Sequence, residues 1–248
     1  MKEKKMSRTL VIGDIHGGFK ALKQVFERAA ITEKDCLIFL GDYVDGWSES
    51  ANVIQYLIGL EQRQSCVFLK GNHESLFLTW LQTRVDNPLW LLHGGQATLQ
   101  SYALLSKVEI AEHLEFLLRL KPYHIDSENR LFVHAGFTNM KGVQAEFFQE
   151  YLSWDRTLWE MVLSMDPNLA LESVYYPKRL KCYSEIYIGH TPVTNYGFSV
   201  PQKRANVWNI DTGAAFTGKV TVMDLETKKF WQSDCVADLY PNEKGRNS

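Results

Sequence analysis

Five short segments of the chain combine glycine with carboxylate, imidazole or amide side chains. Each segment directly follows a short apolar run. Glycine lets the backbone turn sharply at such a point, so that the neighbouring polar side chain projects from the end of the preceding element. In chain order the segments are Gly13-Asp14-Ile15-His16, Gly41-Asp42-Tyr43-Val44-Asp45, Gly71-Asn72-His73-Glu74, His134-Ala135-Gly136 and Gly189-His190-Thr191-Pro192.

These side chains offer oxygen and nitrogen donors without thiolates, a set that suits manganese, iron or zinc better than a soft metal. A carboxylate between two groups of ligands can bridge two ions, and Asp42 is the natural candidate. Two ions about 3.5–4 Å apart lower the pKa of a shared water, orient a phosphoryl group and stabilise the attacking and leaving oxygens. The pattern therefore predicts hydrolysis of a phosphate ester by a metal-activated hydroxide, without a covalent enzyme intermediate.

The elements that must position these residues begin with a βαβαβ pattern. Apolar runs at 9–12, 37–40 and 66–69 are typical of strands buried on both faces of a sheet. Helical spacing over 19–30 and 50–63 separates them, which indicates parallel strands joined by crossover helices. Because ligands of such sheets bind at the carboxyl ends of the strands, we expect the polar segments to meet there.

The remainder of the chain predicts more helices, and then strands again. Helices are predicted over 74–85, 89–105 and 108–120, a helical insertion around 154–165, and strands over 131–133, 185–188, 207–210, 219–225 and 229–232. No repeat or long linker divides the chain. We therefore predict an α/β fold, with one domain of two stacked mixed β-sheets flanked by helices over residues 7–233 and a loose tail over 234–248.

Composition argues against several other classes of protein. The formal net charge of −2 gives no overall field to attract nucleic acid or an anionic membrane. The four cysteines form no C-x-x-C pair, which argues against a zinc knuckle or redox motif. No apolar run approaches the roughly 20 residues of a membrane span, and the amino terminus lacks the apolar region of a secretory signal. We expect a cytoplasmic protein with no nucleic-acid or membrane partner.

Three later stretches add to the pattern, namely Trp154-Asp155-Arg156, Gly189-His190-Thr191-Pro192-Val193 and Ile210-Asp211-Thr212-Gly213-Ala214. With the five segments they make the chain resemble the calcineurin-like metallophosphoesterases, and in detail the phosphoprotein phosphatase branch with its bacterial and phage-type serine/threonine protein phosphatases. The resemblance covers nearly the whole chain. It implies a four-layer α/β/β/α sandwich and two metal ions, with manganese expected first and iron or zinc as alternatives.

The resemblance also implies a role for each residue that matches a family motif. Asp14, His16 and Asp42 would hold the first metal, and Asp42, Asn72, His134 and His190 the second. His73 matches the histidine that protonates the leaving oxygen, and Asp45 matches the carboxylate that orients it. Arg156 matches an arginine that binds the phosphate, since a guanidinium can make two parallel charge-assisted bonds.

Two positions depart from the family pattern. Gly46 stands where the family has an arginine, and Lys70 stands where it usually has another, which keeps the charge but loses the planar fork. Substrate binding would then rest on Arg156 and Lys70. Because nothing adjacent in the sequence replaces the arginine, Gly46→Arg is expected to raise turnover modestly. Trp47 lies beside the expected phosphate position and is a candidate for stacking on a substrate.

Other polar residues are expected to have structural roles. His93, His113 and His124 belong to no motif and are assigned to helix surfaces or packing. Asp211 and Thr212 are expected to fix loops of the site by hydrogen bonds.

Three functions remain open at this point. The first is a phosphatase acting on phosphoserine or phosphothreonine in proteins. The second is a symmetrical diadenosine tetraphosphate hydrolase or another small-molecule phosphatase, although such hydrolases commonly carry glutamine where this chain has His16. The third is a metal-binding interaction module with weak turnover, which the intact pair Asp45 and His73 disfavours. Oligomeric state is not predicted.

Overall fold

Ten strands form two sheets in the computed structural model, which describes residues 7–247. The strands are β1 (Thr9–Ile12), β2 (Cys36–Phe39), β3 (Cys66–Phe68), β4 (Tyr123–Ile125), β5 (Leu131–Val133), β6 (Ile186–Ile188), β7 (Gln202–Arg204), β8 (Val207–Asn209), β9 (Thr221–Asp224) and β10 (Phe230–Gln232). The first sheet has the order β10-β9-β1-β2-β3, and the second has the order β4-β5-β6-β8-β7. Strands β1, β2 and β3 run parallel, as the βαβαβ pattern predicts.

Within residues 7–247, the helices lie mostly between the strands along the chain. They are α1 (Phe19–Arg28), α2 (Ser50–Glu61), α3 (Asn72–Thr83), α4 (Pro88–Trp90), α5 (Gln96–Tyr102), α6 (Lys107–Leu118), α7 (Tyr151–Trp154), α8 (Thr157–Ser164) and α9 (Val236–Leu239). The single helix predicted over 89–105 is instead broken at Leu91–Gly95, because Gly94 adopts a φ of +104°. Within residues 7–247 no helix combines the length and the apolar character that crossing a membrane requires.

Alternation along the strands builds the layers. In β1, Leu10 and Ile12 face the helices, while Val11 faces the second sheet. In β5, Leu131 and Val133 face the helices on the outside of the second sheet, while Phe132 packs against the first sheet. This period of two is what a strand buried on both faces requires. The predicted fold of two stacked mixed sheets flanked by helices is thereby confirmed.

The parallel strands of both sheets end at a common edge. Loops follow β1, β2 and β3 in the first sheet, and β5, β6 and β8 in the second. Backbone hydrogen bonds tie neighbouring loops together, for example the Leu40 N–H to the Ile12 carbonyl at 3.0 Å and the Gly189 N–H to the His134 carbonyl at 2.8 Å. Four of the polar segments lie in these loops, and the fifth, Gly71-Asn72-His73-Glu74, caps and begins α3 directly after β3, so all five lie within reach of one another.

The carboxyl-terminal segment is packed against the domain, contrary to the loose tail predicted from the sequence. Val236 and Tyr240 are buried. The Tyr240 ring stacks on Trp47 with centroids 5.4 Å apart, and the Ser48 hydroxyl donates to Glu243 at 2.7 Å. Two buried side chains are enough to hold the segment in place, and they form too short a pattern to be recognised in the sequence.

Candidate metal centre and acid–base pair

The loop side chains converge on two overlapping groups of potential metal ligands. His16, Asp42 and His73 form one group, and Asp42, His134 and His190 form the other, with the donor atoms of each group within 4.8 Å of one another. All five residues are buried. Asp42 belongs to both groups, so the structure brings together the carboxylate and the histidines that the sequence singles out.

The two oxygens of the Asp42 carboxylate face different groups. Its Oδ2 lies 3.4 Å from the Nε2 of His16, and its Oδ1 lies 3.3 Å from the Nε2 of His134. Its Oδ1 also accepts the His73 backbone N–H at 3.1 Å, which fixes the carboxylate orientation. A carboxylate divided in this way has the geometry expected of a bridge between two ions.

Backbone carbonyls set the orientation of two histidines. The Nδ1 of His16 lies 3.1 Å from the Asp45 carbonyl, and the Nδ1 of His134 lies 2.8 Å from the Leu40 carbonyl. A carbonyl only accepts, so each Nδ1 carries a proton, and the lone pair of the neutral imidazole is then on Nε2. Metal-ligating histidines usually show this arrangement, in which the outer hydrogen bond selects the tautomer.

Two buried polar atoms of the site lack a hydrogen-bond partner among the described residues, Asp14 Oδ1 and His190 Nε2. Such groups are costly unless a ligand satisfies them. Asn72 Oδ1 lies 3.2 Å from His134 Nε2 and 3.0 Å from His190 Nδ1. The unpartnered atoms, together with the donor set, fit metal ions.

Electrostatics also point to a requirement for positive charge. Burial alone would raise the pKa of Asp42, but His134, His73 and His16 outweigh it and hold that pKa well below its usual value. Burial would lower the pKa of His134, yet Asp42 and Asp14 raise it to about 10. A proton on His134 thus neutralises the buried carboxylates. A divalent cation would meet the same need and leave the imidazole free to ligate.

A hydrogen-bonded acid–base pair lies beside the ligand groups. His73 Nδ1 is 2.6 Å from Asp45 Oδ2, and both residues are buried. Asp45 Oδ2 also accepts from the Trp90 indole at 2.6 Å, and Asp45 Oδ1 accepts from the Thr98 hydroxyl at 2.6 Å. The Nε2 of His73 is not used in this hydrogen bond and is left for a bound substrate. Trp90 and Thr98 were missed from the sequence because nothing local marks them.

Glu74 holds the loop that carries Asp42 and Asp45. Its carboxylate accepts four backbone N–H groups, those of Asp42, Tyr43, Val44 and Gly71, at 2.7–3.2 Å. Burial and the charge of Asp42 raise the pKa of Glu74 to about 7, while the Tyr43 N–H and the nearby His134 and His73 oppose the rise. Glu74 belongs to one of the five segments, but its role in holding the loop is not predicted from the sequence.

Four residues of the centre adopt positive φ, which is uncommon outside glycine. They are His16, Asp42, Asp45 and His190, with φ between 53° and 70°. Left-handed backbone costs roughly 1–2 kcal/mol per non-glycine residue. Its recurrence at these four positions shows that the loops are shaped by the site and held by the surrounding hydrogen bonds.

The remaining predicted residues fall into two sets. Arg156 is exposed, and its charge contributes, after burial and His134, to lowering the pKa of His190. Lys70 is half-buried, with a backbone bond from its N–H to the Lys121 carbonyl. Asp211 accepts the Gly213 N–H at 2.9 Å, and the Thr212 hydroxyl donates to the Lys219 carbonyl at 2.7 Å, so both fix loops as predicted.

Trp47 does not face a substrate, contrary to the suggestion from the sequence. The side chain is fully buried, and its indole N–H donates to the Ala214 carbonyl at 2.7 Å. The carboxyl-terminal segment covers its ring. His113 is buried between Tyr102 and Gln55, which agrees with a packing role.

A sandwich of two mixed sheets with clustered histidine and carboxylate side chains at its edge is typical of a metallophosphatase type of hydrolase. Residues 7–214 match the calcineurin-like phosphoesterase family, and the chain belongs to that family. This membership agrees with the resemblance seen in the sequence motifs.

Named relatives fall into more than one activity class. The chain is 28% identical over 243 residues to an asymmetrical bis(5'-nucleosyl)-tetraphosphatase PrpE of Bacillus mycoides, covering 88% of this chain and 91% of that one. It is 25% identical over 223 residues to serine/threonine-protein phosphatase 1 of Salmonella typhimurium, covering 87% and 91%. In fold it is similar to a serine/threonine phosphatase of Saccharomyces cerevisiae, with a TM-score of 0.64 at 14% identity over 100% of this chain and 85% of that one.

Proposed function

We propose that this protein is a metal-dependent phosphomonoesterase that acts on phosphoserine and phosphothreonine in proteins. The observation that carries the proposal is the buried His73–Asp45 pair, at 2.6 Å, beside two groups of ligands that share Asp42. Asp14, His16, Asp42, Asn72, His134 and His190 would hold two ions, with manganese the first candidate. When bound, the ions supply Lewis acidity and an acidified water.

The chain's own residues account for the remaining steps. Asp45 holds the Nδ1 of His73, so that Nε2 presents a proton to the leaving oxygen of the ester. The indole of Trp90 and the hydroxyl of Thr98 keep Asp45 in place. Arg156, exposed beside His190, and Lys70 would bind the phosphoryl oxygens.

The acid pair bears on the class of substrate. The alkoxide of serine or threonine is a strong base and a poor leaving group, so its departure depends on protonation. The leaving group from a dinucleoside polyphosphate is a nucleotide phosphate, which departs with far less help. A positioned, buried acid therefore favours the monoester.

The second candidate is a dinucleoside tetraphosphate hydrolase, and one exposed aromatic residue favours it. Trp154 is 44% exposed, and its ring lies 6.2 Å from that of His190 in an edge arrangement. An exposed tryptophan at the site could stack on a nucleobase, an interaction of roughly 1–3 kcal/mol per base. The relative from Bacillus mycoides carries a name of this class.

Two substrates compared on manganese-loaded protein separate the candidates. We expect kcat/KM for a phosphoserine peptide to exceed that for diadenosine tetraphosphate, and Trp154→Ala to leave peptide turnover nearly unchanged. Faster turnover of the dinucleotide, together with its selective loss in Trp154→Ala, would favour the second candidate. The products then show whether cleavage is symmetrical, giving two ADP, or asymmetrical, giving ATP and AMP. Absence of turnover on both substrates would instead favour a binding module.

A further inference from the structure

A guanidinium from the far end of the chain lies beside the position where the family arginine is missing. Gly46 has a φ of +108°, and a Cβ placed on it would lie 3.4 Å from the Cγ of Arg246 and 3.3 Å from the His16 carbonyl oxygen. The same Cγ lies 3.2 Å from a Cβ placed on Gly94. The stem of Arg246 therefore runs past two glycines at the rim of the centre, 200 residues from Gly46 in sequence.

The packed carboxyl-terminal segment fixes this stem. Tyr240 stacks on Trp47, and a Cβ placed on Gly245 would lie only 2.6 Å from the Trp47 ring, so the backbone there is in close contact with the indole. The Arg246 N–H donates to the Ala215 carbonyl at 2.9 Å. Trp47, which follows Gly46 directly, is thus the platform that holds the segment.

The head of Arg246 has unused hydrogen-bonding capacity. Its Nε is buried and has no hydrogen-bond partner among residues 7–247, and the guanidinium lies 5.3 Å from the centroid of the Phe216 ring. If Arg246 served only to anchor the segment, its side-chain N–H groups would be expected to donate to acceptors of the protein.

We infer that Arg246 supplies the phosphate-binding guanidinium that this chain lacks at position 46, which makes the carboxyl-terminal segment part of the substrate site. The inference rests on the proposed function and deepens it. A planar guanidinium offers two parallel N–H donors to a phosphoryl group, which the ammonium of Lys70 does not. A side chain at position 46 or 94 would lie against the stem of the arginine, and the positive φ at both positions favours glycine.

Binding of inorganic phosphate to the manganese-loaded protein tests this role apart from turnover. Arg246→Met keeps most of the aliphatic stem and removes the donors. We expect phosphate to bind about 10-fold to 100-fold more weakly by calorimetry, the range for a lost charged hydrogen bond, with unchanged metal content. Lys244→Met removes a positive charge from an exposed position of the same segment and should leave phosphate affinity unchanged.

The result that overturns the inference is wild-type phosphate affinity in Arg246→Met. Protease resistance of the tail shows whether it stays docked in the variant. If Arg246→Met releases the tail, the Arg246→Lys variant is used instead. A docked tail with several-fold weaker phosphate binding in that variant supports the role of the guanidinium. Phosphate binding equal to that of wild type overturns the inference. Lack of phosphoester hydrolysis by the wild-type protein would overturn the proposed function instead, since phosphate binding is measured independently of turnover.

Discussion

Asp45 shows how one buried carboxylate can be committed to a single task. It accepts from His73, Trp90 and Thr98, each at 2.6 Å, and its own N–H donates to the hydroxyls of Thr98 and Ser50. These bonds leave it little freedom to turn toward a metal. The imidazole that it orients is therefore positioned before substrate arrives, and this is the arrangement that general acid catalysis favours.

Replacing His73 tests that assignment. We predict that His73→Ala keeps its metal and loses roughly 10²–10⁴ in turnover on an alkyl or peptidyl phosphomonoester, the usual contribution of a general acid. Activated aryl phosphates should lose much less, because their leaving groups need no proton.

His124→Ala, a histidine of β4 outside the site, is the control and should behave as wild type. Because His73 also lies within the first ligand group, metal analysis must accompany the kinetics. Loss of metal together with an equal loss of rate on both leaving groups would make His73 a ligand rather than the acid.

At the scale of elements, the ligand positions could be predicted because they depend on local events. A strand that ends at a glycine turn places Asp14, Asp42 or His190 at the edge of the sheet, and this placement does not depend on residues distant in the sequence. Trp90 and Thr98 could not be predicted, since their contacts with Asp45 exist only because the helix predicted over 89–105 breaks at Gly94. That break also places the Gly94 carbonyl to accept the Gly46 N–H at 3.2 Å.

Asp35, in the connection from α1 to β2, forms an ion pair with Arg8 whose contribution to the stability of the fold should depend on pH. Arg8 donates to Asp35 at 2.7 Å, and the Thr32 N–H donates to the same carboxylate at 2.8 Å. Burial would raise the pKa of Asp35, but these partners outweigh it and lower that pKa to about 2. Because the pKa of Asp35 is lower in the folded state than in the unfolded state, its ionised carboxylate stabilises the fold when the pH is above the unfolded-state pKa. This stabilisation is lost as the pH falls through the folded-state pKa.

We therefore predict that Asp35→Asn lowers the free energy of unfolding by about 2 kcal/mol at pH 7, following about 1.4 kcal/mol per pKa unit. The difference from wild type should shrink as pH falls from about 4 toward 2. Urea unfolding at several pH values measures it. A difference that stays constant down to pH 3, or that grows, would show that the ionised carboxylate is not the source.

At the scale of the whole molecule, the carboxyl-terminal segment links the two ends of the chain. It packs on α1 and on the loop after β2, where the Lys20 N–H donates to the Tyr240 hydroxyl at 3.0 Å and the Trp47 ring is covered. The sequence predicts a domain over residues 7–233 and a loose tail beyond it. A short segment anchored by a few side chains carries too little pattern to be recognised, and so Arg246 was also missed.

Removing residues 234–248 should therefore destabilise the fold. Val236 and Tyr240 are buried, and burying such a side chain contributes about 1.5–3 kcal/mol, so we expect a loss of about 3–6 kcal/mol in the free energy of unfolding. Denaturant unfolding followed by tryptophan fluorescence measures it, with Lys244→Ala as the control. A truncated protein with the same free energy of unfolding as wild type would show that the tail is loose after all.

We expect that one buried centre, bridged by Asp42, makes this chain a metal-dependent phosphoesterase. The most direct measurement is the rate of phosphomonoester hydrolysis as chelator-treated protein is titrated with manganese, on wild type and on Asp42→Asn, which keeps the side-chain volume and removes the charge. We predict that the wild-type rate rises until two ions are bound, and that the variant binds less metal and stays inactive, since a first ligand sets both the ion's position and the acidity of its water. Hydrolysis that needs no metal, or an Asp42→Asn protein with wild-type rate and metal content, would contradict the claim.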